Sequence, residues 1–214
     1  MSKVKAFIFD LDGVITDTAE FHYLAWKKLA QEEGMEFDRE INETLKGVSR
    51  TESLKRILAH NGRTVSENVL EAWARRKNGY YLEFIETITP AHLLPRVVNI
   101  LELLKQKGIK TALGSASKNA RAVLSGLEIT DYFDVIGDGN SVERSKPAPD
   151  LFLFCAEKLN VNPECCVVVE DAEAGVEAAK KAAMTVVGIG DPEKLSEADY
   201  VYGAPAEINL DLIL

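Results

Sequence analysis

Two aspartates, Asp10 and Asp12, flank a single leucine at the end of an apolar run, Val4 and Ala6 through Phe9, and Gly13 follows them. The run reads as a buried strand. Side-chain alternation puts Asp10 and Asp12 on one side of it and Leu11 on the other, and Gly13 permits a sharp turn. Adjacent like charges at the end of a buried strand call for a cation or a shared proton between them; as solvated turn formers they would need neither. If Asp10 is a nucleophile, the chemistry is attack of a carboxylate on phosphorus to give an aspartyl phosphate. Asp12 would then protonate the departing oxygen and later deprotonate the acceptor hydroxyl. A free aspartate has a pKa near ~3.9, so Asp12 needs a partner or a closed site to hold a proton near neutrality. Thr18 and His22, on the first turns after the pair, are candidates to orient it; the alternative for His22 is a surface position.

Other polar residues stand where later strands end: Ser115 after 110–114, the Ser145-Lys146-Pro147 loop, and Glu170-Asp171 after 165–169. Parallel strands end together, so all of these converge on one sheet edge. The acidic members, Asp10, Asp12, Glu170 and Asp171, imply a hard divalent cation such as Mg²⁺. Asp10, Glu170 and Asp171 would use side chains, and Asp12 its main-chain carbonyl. Helix capping would account for Asp171, with Glu173 in the following turn, but not for Asp10. Lys146, Ser115, Ser117, Lys118 and Asn119 supply a cation and donors for phosphoryl oxygens. Ser115 is either a phosphate donor or an ordinary N-cap. Lys146, stiffened by Pro147 and Pro149, either balances the carboxylates and a phosphate or is a surface lysine. Arg50, at the start of a helix, offers a forked contact to a second phosphate, or faces solvent.

The elements that position these groups follow two grammars. Residues 16–90 carry helical periodicity with almost no strand signal: helices over 18–33, 40–45, from Ser49 to about 60, and from Ser66 to Ile85, the last weakened by Gly79. Strands then alternate with helices: a helix over 96–106, a strand over 110–114, a helix over 119–127, a strand over 133–136, a helix over 149–159, a strand over 165–169, a helix over 174–183, strands at 185–189 and 200–201, and a last helix. That alternation means an α/β fold with a parallel sheet covered on both faces. The opening strand needs the same sheet, so the chain divides into an α/β core of 1–15 and 90–214 and a helical insert of 16–89.

The 214 residues are 46% hydrophobic, enough for a large core. A net charge of -9, from 34 acidic and 25 basic residues, argues against a nucleic-acid backbone as partner. Cys155, Cys165 and Cys166 form neither a metal-ligand pattern nor a disulfide framework and read as reduced core residues of a cytoplasmic protein. No signal peptide or membrane span is expected. Trp73, Tyr80, Tyr81 and Phe84 read as helix-packing residues.

The segment from Asp10 to Thr18, with Ser115, Lys146 and Glu170-Asp171, resembles the haloacid dehalogenase-like superfamily of phosphotransferases, and the resemblance covers essentially the whole chain. Within the superfamily it is closest to bacterial sugar-phosphate mutases. The markers are Thr16-Asp17-Thr18-Ala19-Glu20 with His22 and Trp26, Lys46-Gly47-Val48-Ser49-Arg50, Ser115-Ala116-Ser117-Lys118-Asn119, and Ser145-Lys146-Pro147-Ala148-Pro149-Asp150. The resemblance implies a Rossmann-like core with a helical cap, and interconversion of β-D-glucose 1-phosphate and glucose 6-phosphate through a glucose 1,6-bisphosphate, with Mg²⁺ as cofactor. It implies Asp10 as nucleophile, Asp12 as general acid and base, and Thr18 and His22 as hinge residues acting on Asp12. Arg50 with Gly47, Val48 and Ser49 would bind the distal phosphate, and Ser115 and Lys146 the transferring one. Ser117, Lys118 and Asn119, with Ala116, would line the sugar side or the second phosphate. Trp26, Lys77 and Leu45 would face the substrate from the cap. A cytoplasmic monomer acting on small sugar phosphates is expected, with an Mg²⁺-dependent sugar-phosphate phosphatase as the alternative; a simple metabolite-binding module would not need the full acidic, basic and hydroxyl set. Two departures stand out: Ala172 where relatives often carry serine, and Ala120-Arg121 where they often carry a glycine and an apolar residue.

Overall fold

The computed structural model describes residues 4–45 and 47–214, so Lys46 of the expected phosphate-binding stretch lies outside the described residues. Its centre is a six-stranded parallel sheet in the order β3-β2-β1-β4-β5-β6. The strands are β1 (Ala6–Phe9), β2 (Lys110–Gly114), β3 (Val135–Gly137), β4 (Cys166–Glu170), β5 (Thr185–Ile189) and β6 (Tyr200–Tyr202). Phe9 pairs with Leu113 on one side and Val169 on the other. Strand order reverses beside β1, and such a reversal opens a crevice at the carboxyl ends of a parallel sheet. Asp10 and Glu170 stand at that crevice, on neighbouring strands.

Both faces of the sheet are covered, which is why its strands read as unbroken apolar runs. Phe7, Phe9, Leu113, Val167, Val169 and Val187 pack toward α5 (Val97–Gln106) and α6 (Ala120–Gly126). Ala6, Ile8, Ala112, Val168 and Val186 face α7 (Asp150–Leu159) and α8 (Glu173–Lys181) through Phe152, Cys155 and Val176. Gly114 makes this second packing possible, because a Cβ there would come to 3.0 Å from both Ile8 and the Phe152 ring.

Between β1 and α5 lie four helices, α1 (Ala19–Glu32), α2 (Arg39–Glu43), α3 (Arg50–His60) and α4 (Glu67–Ile85). They bury a cluster of their own around Trp26, Leu29, Leu54, Ile57, Leu58 and Leu70. α4 runs unbroken through Gly79. A mid-helix glycine costs about 1 kcal/mol, and the buried stripe of Leu70, Ala74, Lys77, Tyr81 and Ile85 offsets it. No helix among the described residues is long and apolar enough to cross a membrane.

Two strands are displaced from their expected bounds. β3 begins two residues later than its apolar run because a 3-10 turn at Thr130–Tyr132 turns the chain and tucks Phe133 into the core. β4 starts at Cys166 because Cys165 closes another 3-10 turn; Cys165 is therefore half-buried, while Cys155 and Cys166 are buried. The shift brings Glu170 into the strand as its last residue.

Phe152 is fully buried against the sheet. Phe152→Ala is expected to lower unfolding free energy by about 3 to 5 kcal/mol, measured by urea titration; a loss below about 1 kcal/mol would show that the site collapses without cost.

Candidate active site

The floor of the crevice is a buried charge cluster. Lys146 Nζ donates to Asp10 Oδ1 at 2.5 Å and to Glu170 Oε2 at 2.7 Å. Lys146 and Glu170 are sealed from solvent and Asp10 nearly so. The ammonium also lies 4.8 Å from the centroid of the Phe152 ring. Burial alone would lower the Lys146 pKa, but the Asp10 and Glu170 carboxylates outweigh it and hold the lysine charged, above its usual range. Lys146 is therefore no surface lysine. Burial and the neighbouring Asp10 charge push Glu170 well above the usual carboxylate range.

Carboxylate oxygens of Asp10, Glu170 and Asp171 lie within 4.8 Å of one another. Three carboxylates that offer oxygens so close together are the donor set that a hard divalent cation takes. The backbone keeps this space open. A Cβ on Gly13 would sit 2.3 Å from Asp171 Oδ2, and one on Gly175 would sit 2.0 Å from Glu170 Cδ. Gly13 also has a φ of +75°, which favours glycine. The donor set and the glycine cradle both fit a hard cation such as Mg²⁺. Asp171 is not the helix cap, since Ala172 occupies the N-cap of α8.

Asp12 stands above the floor, half-buried, and its carboxyl is pushed up to about 6 by burial and then by the Asp10 charge. Its Oδ1 accepts the Thr18 N–H at 3.3 Å and the Thr18 hydroxyl. Thr18 is the N-cap of α1 but makes no side-chain cap bond; its hydroxyl turns to Asp12 instead. His22, one turn later, places Nε2 3.9 Å from Asp12 Oδ2. The Nδ1 of the same ring meets Lys77 Nζ at 2.8 Å. Burial and the Lys77 and Arg50 charges hold His22 well below the ordinary histidine range. A lysine that donates to Nδ1 leaves the imidazole proton on Nε2, facing Asp12. Lys77 is itself buried, 4.7 Å from the Trp26 ring centroid, with its pKa well below the usual range through burial and then the Arg50 charge.

Beyond β2, the chain makes successive serine turns. Ser115 Oγ accepts the Ser117 N–H and Ser117 Oγ accepts the Asn119 N–H, each at 3.2 Å. Ser115 is buried, and α6 starts only at Ala120, so Ser115 is not that helix's cap. The departure at Ala120-Arg121 has a structural content. Ala120 is buried in the core, while Arg121 donates to Ile136 O at 3.0 Å and meets Asp138 Oδ2 at 3.4 Å, tying α6 to the end of β3. Gly47, at a φ of +71°, comes so close to Ala172 that a Cβ on it would lie 3.1 Å from the Ala172 methyl. The small residue at 172 is thus where the helical insert touches the sheet edge.

A cavity of about 840 Å³ lies between the helices and the sheet edge. Asp10, Asp12, His22 and Asp171 border it from the floor; Ser115, Ala116, Ser117 and Lys118 from one wall; Trp26, Leu45, Gly47, Val48, Ser49, Arg50 and Lys77 from the helices. Ser49 also serves as N-cap of α3, accepting the Glu52 N–H at 3.3 Å. Arg50 is half-buried, and burial lowers its pKa from the ordinary value. Four expected residues do not border the cavity. Lys146 and Glu170 lie beneath the floor, and Thr18 behind Asp12. Asn119 departs from expectation: it is not among the cavity's lining residues, and its amide donates to Asn78 Oδ1 of α4 at 2.8 Å. That bond joins α4 to the start of α6, so Asn119 faces the helical insert rather than the sugar side.

Tyr81 was expected only to pack, yet its hydroxyl lies 3.0 Å from Thr18 Oγ1 and its ring stacks on His22 at 4.0 Å. Its signal in the sequence is spacing alone: Tyr81 follows Lys77 by one helical turn, as His22 follows Thr18.

The profile of the haloacid dehalogenase-like hydrolases matches residues 4–183. The chain is 44% identical to the β-phosphoglucomutase of Bacillus subtilis (strain 168) over 212 residues, 98% of this chain and 94% of that one. It is 32% identical to a phosphorylated carbohydrates phosphatase of Thermotoga maritima over 92% of this chain and 93% of that one. Its structure superposes on the crystal structure of a β-phosphoglucomutase from Clostridium difficile with a TM-score of 0.94 at 45% identity, covering 98% of this chain and 95% of that one. The chain belongs to the haloacid dehalogenase-like hydrolase family.

Proposed function

We infer that this protein is a phosphomutase that interconverts β-D-glucose 1-phosphate and glucose 6-phosphate through an aspartyl-phosphate enzyme and a glucose 1,6-bisphosphate. The observation that carries this reading is one cavity with anion-binding groups from both sides, Ser115, Ser117 and Lys118 from the sheet edge and Arg50 from the helices. A hydrolase needs one phosphate site. A mutase must hold a bisphosphate by either end, so it needs two. The near full-length likeness to a β-phosphoglucomutase supports the same reading.

In this reading residues 16–89 form a cap over a core of 1–15 and 90–214. Asp10 of the phosphoenzyme gives its phosphoryl group to the free hydroxyl of the bound sugar monophosphate while Asp12 takes that hydroxyl's proton. The bisphosphate turns end for end. Asp10 then attacks the other phosphorus, the P–O bond to the sugar breaks, and Asp12 returns the proton to the sugar oxygen. Ser115 and its neighbouring amides hold the transferring phosphoryl group, and Lys146 holds Asp10 in place. Arg50, at the first position of α3, takes the distal phosphate with the Gly47-Val48-Ser49 stretch. Trp26, Leu45 and Lys77 line the sugar side, and Ala116, Ser117 and Lys118 the opposite wall. Mg²⁺ held by Asp10, Glu170, Asp171 and the Asp12 main-chain carbonyl would neutralise charge between nucleophile and phosphoryl oxygens when bound. A cap closed over bound substrate would keep water from the acyl phosphate. All groups come from one chain, which supports action as a monomer, and charged sugar phosphates are retained in the cytoplasm, where the reading places the enzyme.

The phosphatase reading keeps the same nucleophile and rests on the Thermotoga maritima relative. A panel of sugar phosphates, assayed with Mg²⁺ and a trace of bisphosphate for isomer and free phosphate in parallel, separates the two. Isomer with little phosphate release is expected from β-glucose 1-phosphate. Phosphate release matching substrate loss would select hydrolysis. Arg50→Ala is expected to reduce isomerisation about a hundredfold, since a forked, charge-assisted contact is lost from a half-buried site, while acetyl phosphate consumption falls much less. Equal losses on both would remove Arg50 from the distal phosphate.

A further inference from the structure

Four side chains on two helices form a lattice behind Asp12. Thr18 and His22 stand one turn apart where α1 begins, and Lys77 and Tyr81 one turn apart on α4. Lys77 Nζ holds His22 Nδ1 at 2.8 Å, and Tyr81 Oη holds Thr18 Oγ1 at 3.0 Å. The Tyr81 ring is fully buried, stacks on His22 with centroids 4.0 Å apart, and lies 4.8 Å from Lys77 Nζ. It does not border the cavity.

The direction of these bonds is fixed by what each atom can do. An Asp12 carboxylate only accepts, so the Thr18 hydroxyl donates to Oδ1. Thr18 has one proton and has spent it, so Tyr81 must be the donor to Thr18 Oγ1. Burial keeps the phenol in the protonated form that donation requires. With Oδ1 held by the Thr18 hydroxyl and amide, Oδ2 is the oxygen left to exchange a proton with substrate. Without the phenol, Thr18 could rotate its hydroxyl away, and either Asp12 oxygen could turn toward the cavity.

We propose that Tyr81 is a positioning residue for proton transfer: its hydroxyl fixes the orientation of the Thr18 hydroxyl, which fixes the Asp12 carboxyl with Oδ2 toward the sugar oxygen. The proposal rests on the reading of Asp12 as the acid and base of a phosphoryl-transfer enzyme. It also makes the device conditional on the cap, because Tyr81 comes from α4 and Asp12 from the sheet edge. A hydroxyl in this place orders one hydrogen-bond chain, and the ring alone would preserve the packing on His22.

Tyr81→Phe keeps the ring and removes only the oxygen. The expected result is a fall in kcat of about tenfold on β-glucose 1-phosphate with KM within about twofold of the parent. Phosphorylation of Asp10 by acetyl phosphate should fall far less, because acetate departs without needing a proton. In a Thr18→Val background, which has already lost the bond to Asp12, the same change should have almost no further effect. Unaltered kcat in Tyr81→Phe, an equal fall with acetyl phosphate, or losses that multiply in the double variant would each overturn the proposal. The comparison survives a failure of the mutase reading, since hydrolysis of a sugar phosphate also needs a proton delivered to the sugar oxygen. A parent enzyme that releases phosphate without making isomer would reject the mutase while leaving Tyr81→Phe informative.

Discussion

The structure is arranged around an ammonium shared by too many carboxylates. Lys146 bonds Asp10 and Glu170 in a site closed to water, with Asp171 beside them. Removing one charge from such a group costs several kcal/mol, because its partner stays buried and unpaired. The sheet topology makes the group possible. β1 and β4 are neighbours, their last residues reach the same level, and the Ser145–Pro149 loop brings the lysine over their ends. Gly13 and Gly175 are part of the same constraint, since a methyl group at either would occupy the place of a carboxylate. Carboxylate oxygens gathered this closely are a disposition to bind a divalent cation and, through it, phosphate.

The helical insert extends this constraint to the second carboxylate. Asp10 is held from below by the core, whereas Asp12 is held from behind by Thr18 and His22, which are held in turn by Tyr81 and Lys77 of α4. The same helices carry Arg50 to the cavity. Contacts that join insert and core near the cavity include Gly47 against Ala172 and Asn78 to Asn119. The groups that hold Asp12 and the arginine offered to the far end of a substrate are therefore carried by the same set of helices. Closure of those helices over a substrate would couple recognition to chemistry.

Much of this was legible in the chain because strand-end chemistry is local. The apolar run ending in Asp10-Leu11-Asp12-Gly13, and the later run ending in Glu170-Asp171, place carboxylates on one sheet edge by topology alone. Helix bounds followed from periodicity, and α4 runs through Gly79 as its periodicity requires because its buried stripe outweighs one glycine. What the chain concealed were contacts between elements distant in sequence. Tyr81 looked like packing because nothing in a helical repeat says which neighbouring helix a hydroxyl will meet. Asn119 looked like a substrate contact because Asn78, its partner, lies 41 positions earlier on another helix. Arg121 had no assigned place until Asp138 and Ile136 at the end of β3 were seen beside it.

The central claim is that the buried carboxylate of β1 becomes covalently bonded to phosphorus. Borohydride added to the protein during turnover reduces an aspartyl phosphate to homoserine, and peptide mass spectrometry locates it. The account predicts homoserine at position 10, appearing only when a phosphoryl donor is present. Its absence there throughout turnover, or its appearance at Asp12, Glu170 or Asp171 instead, would contradict it.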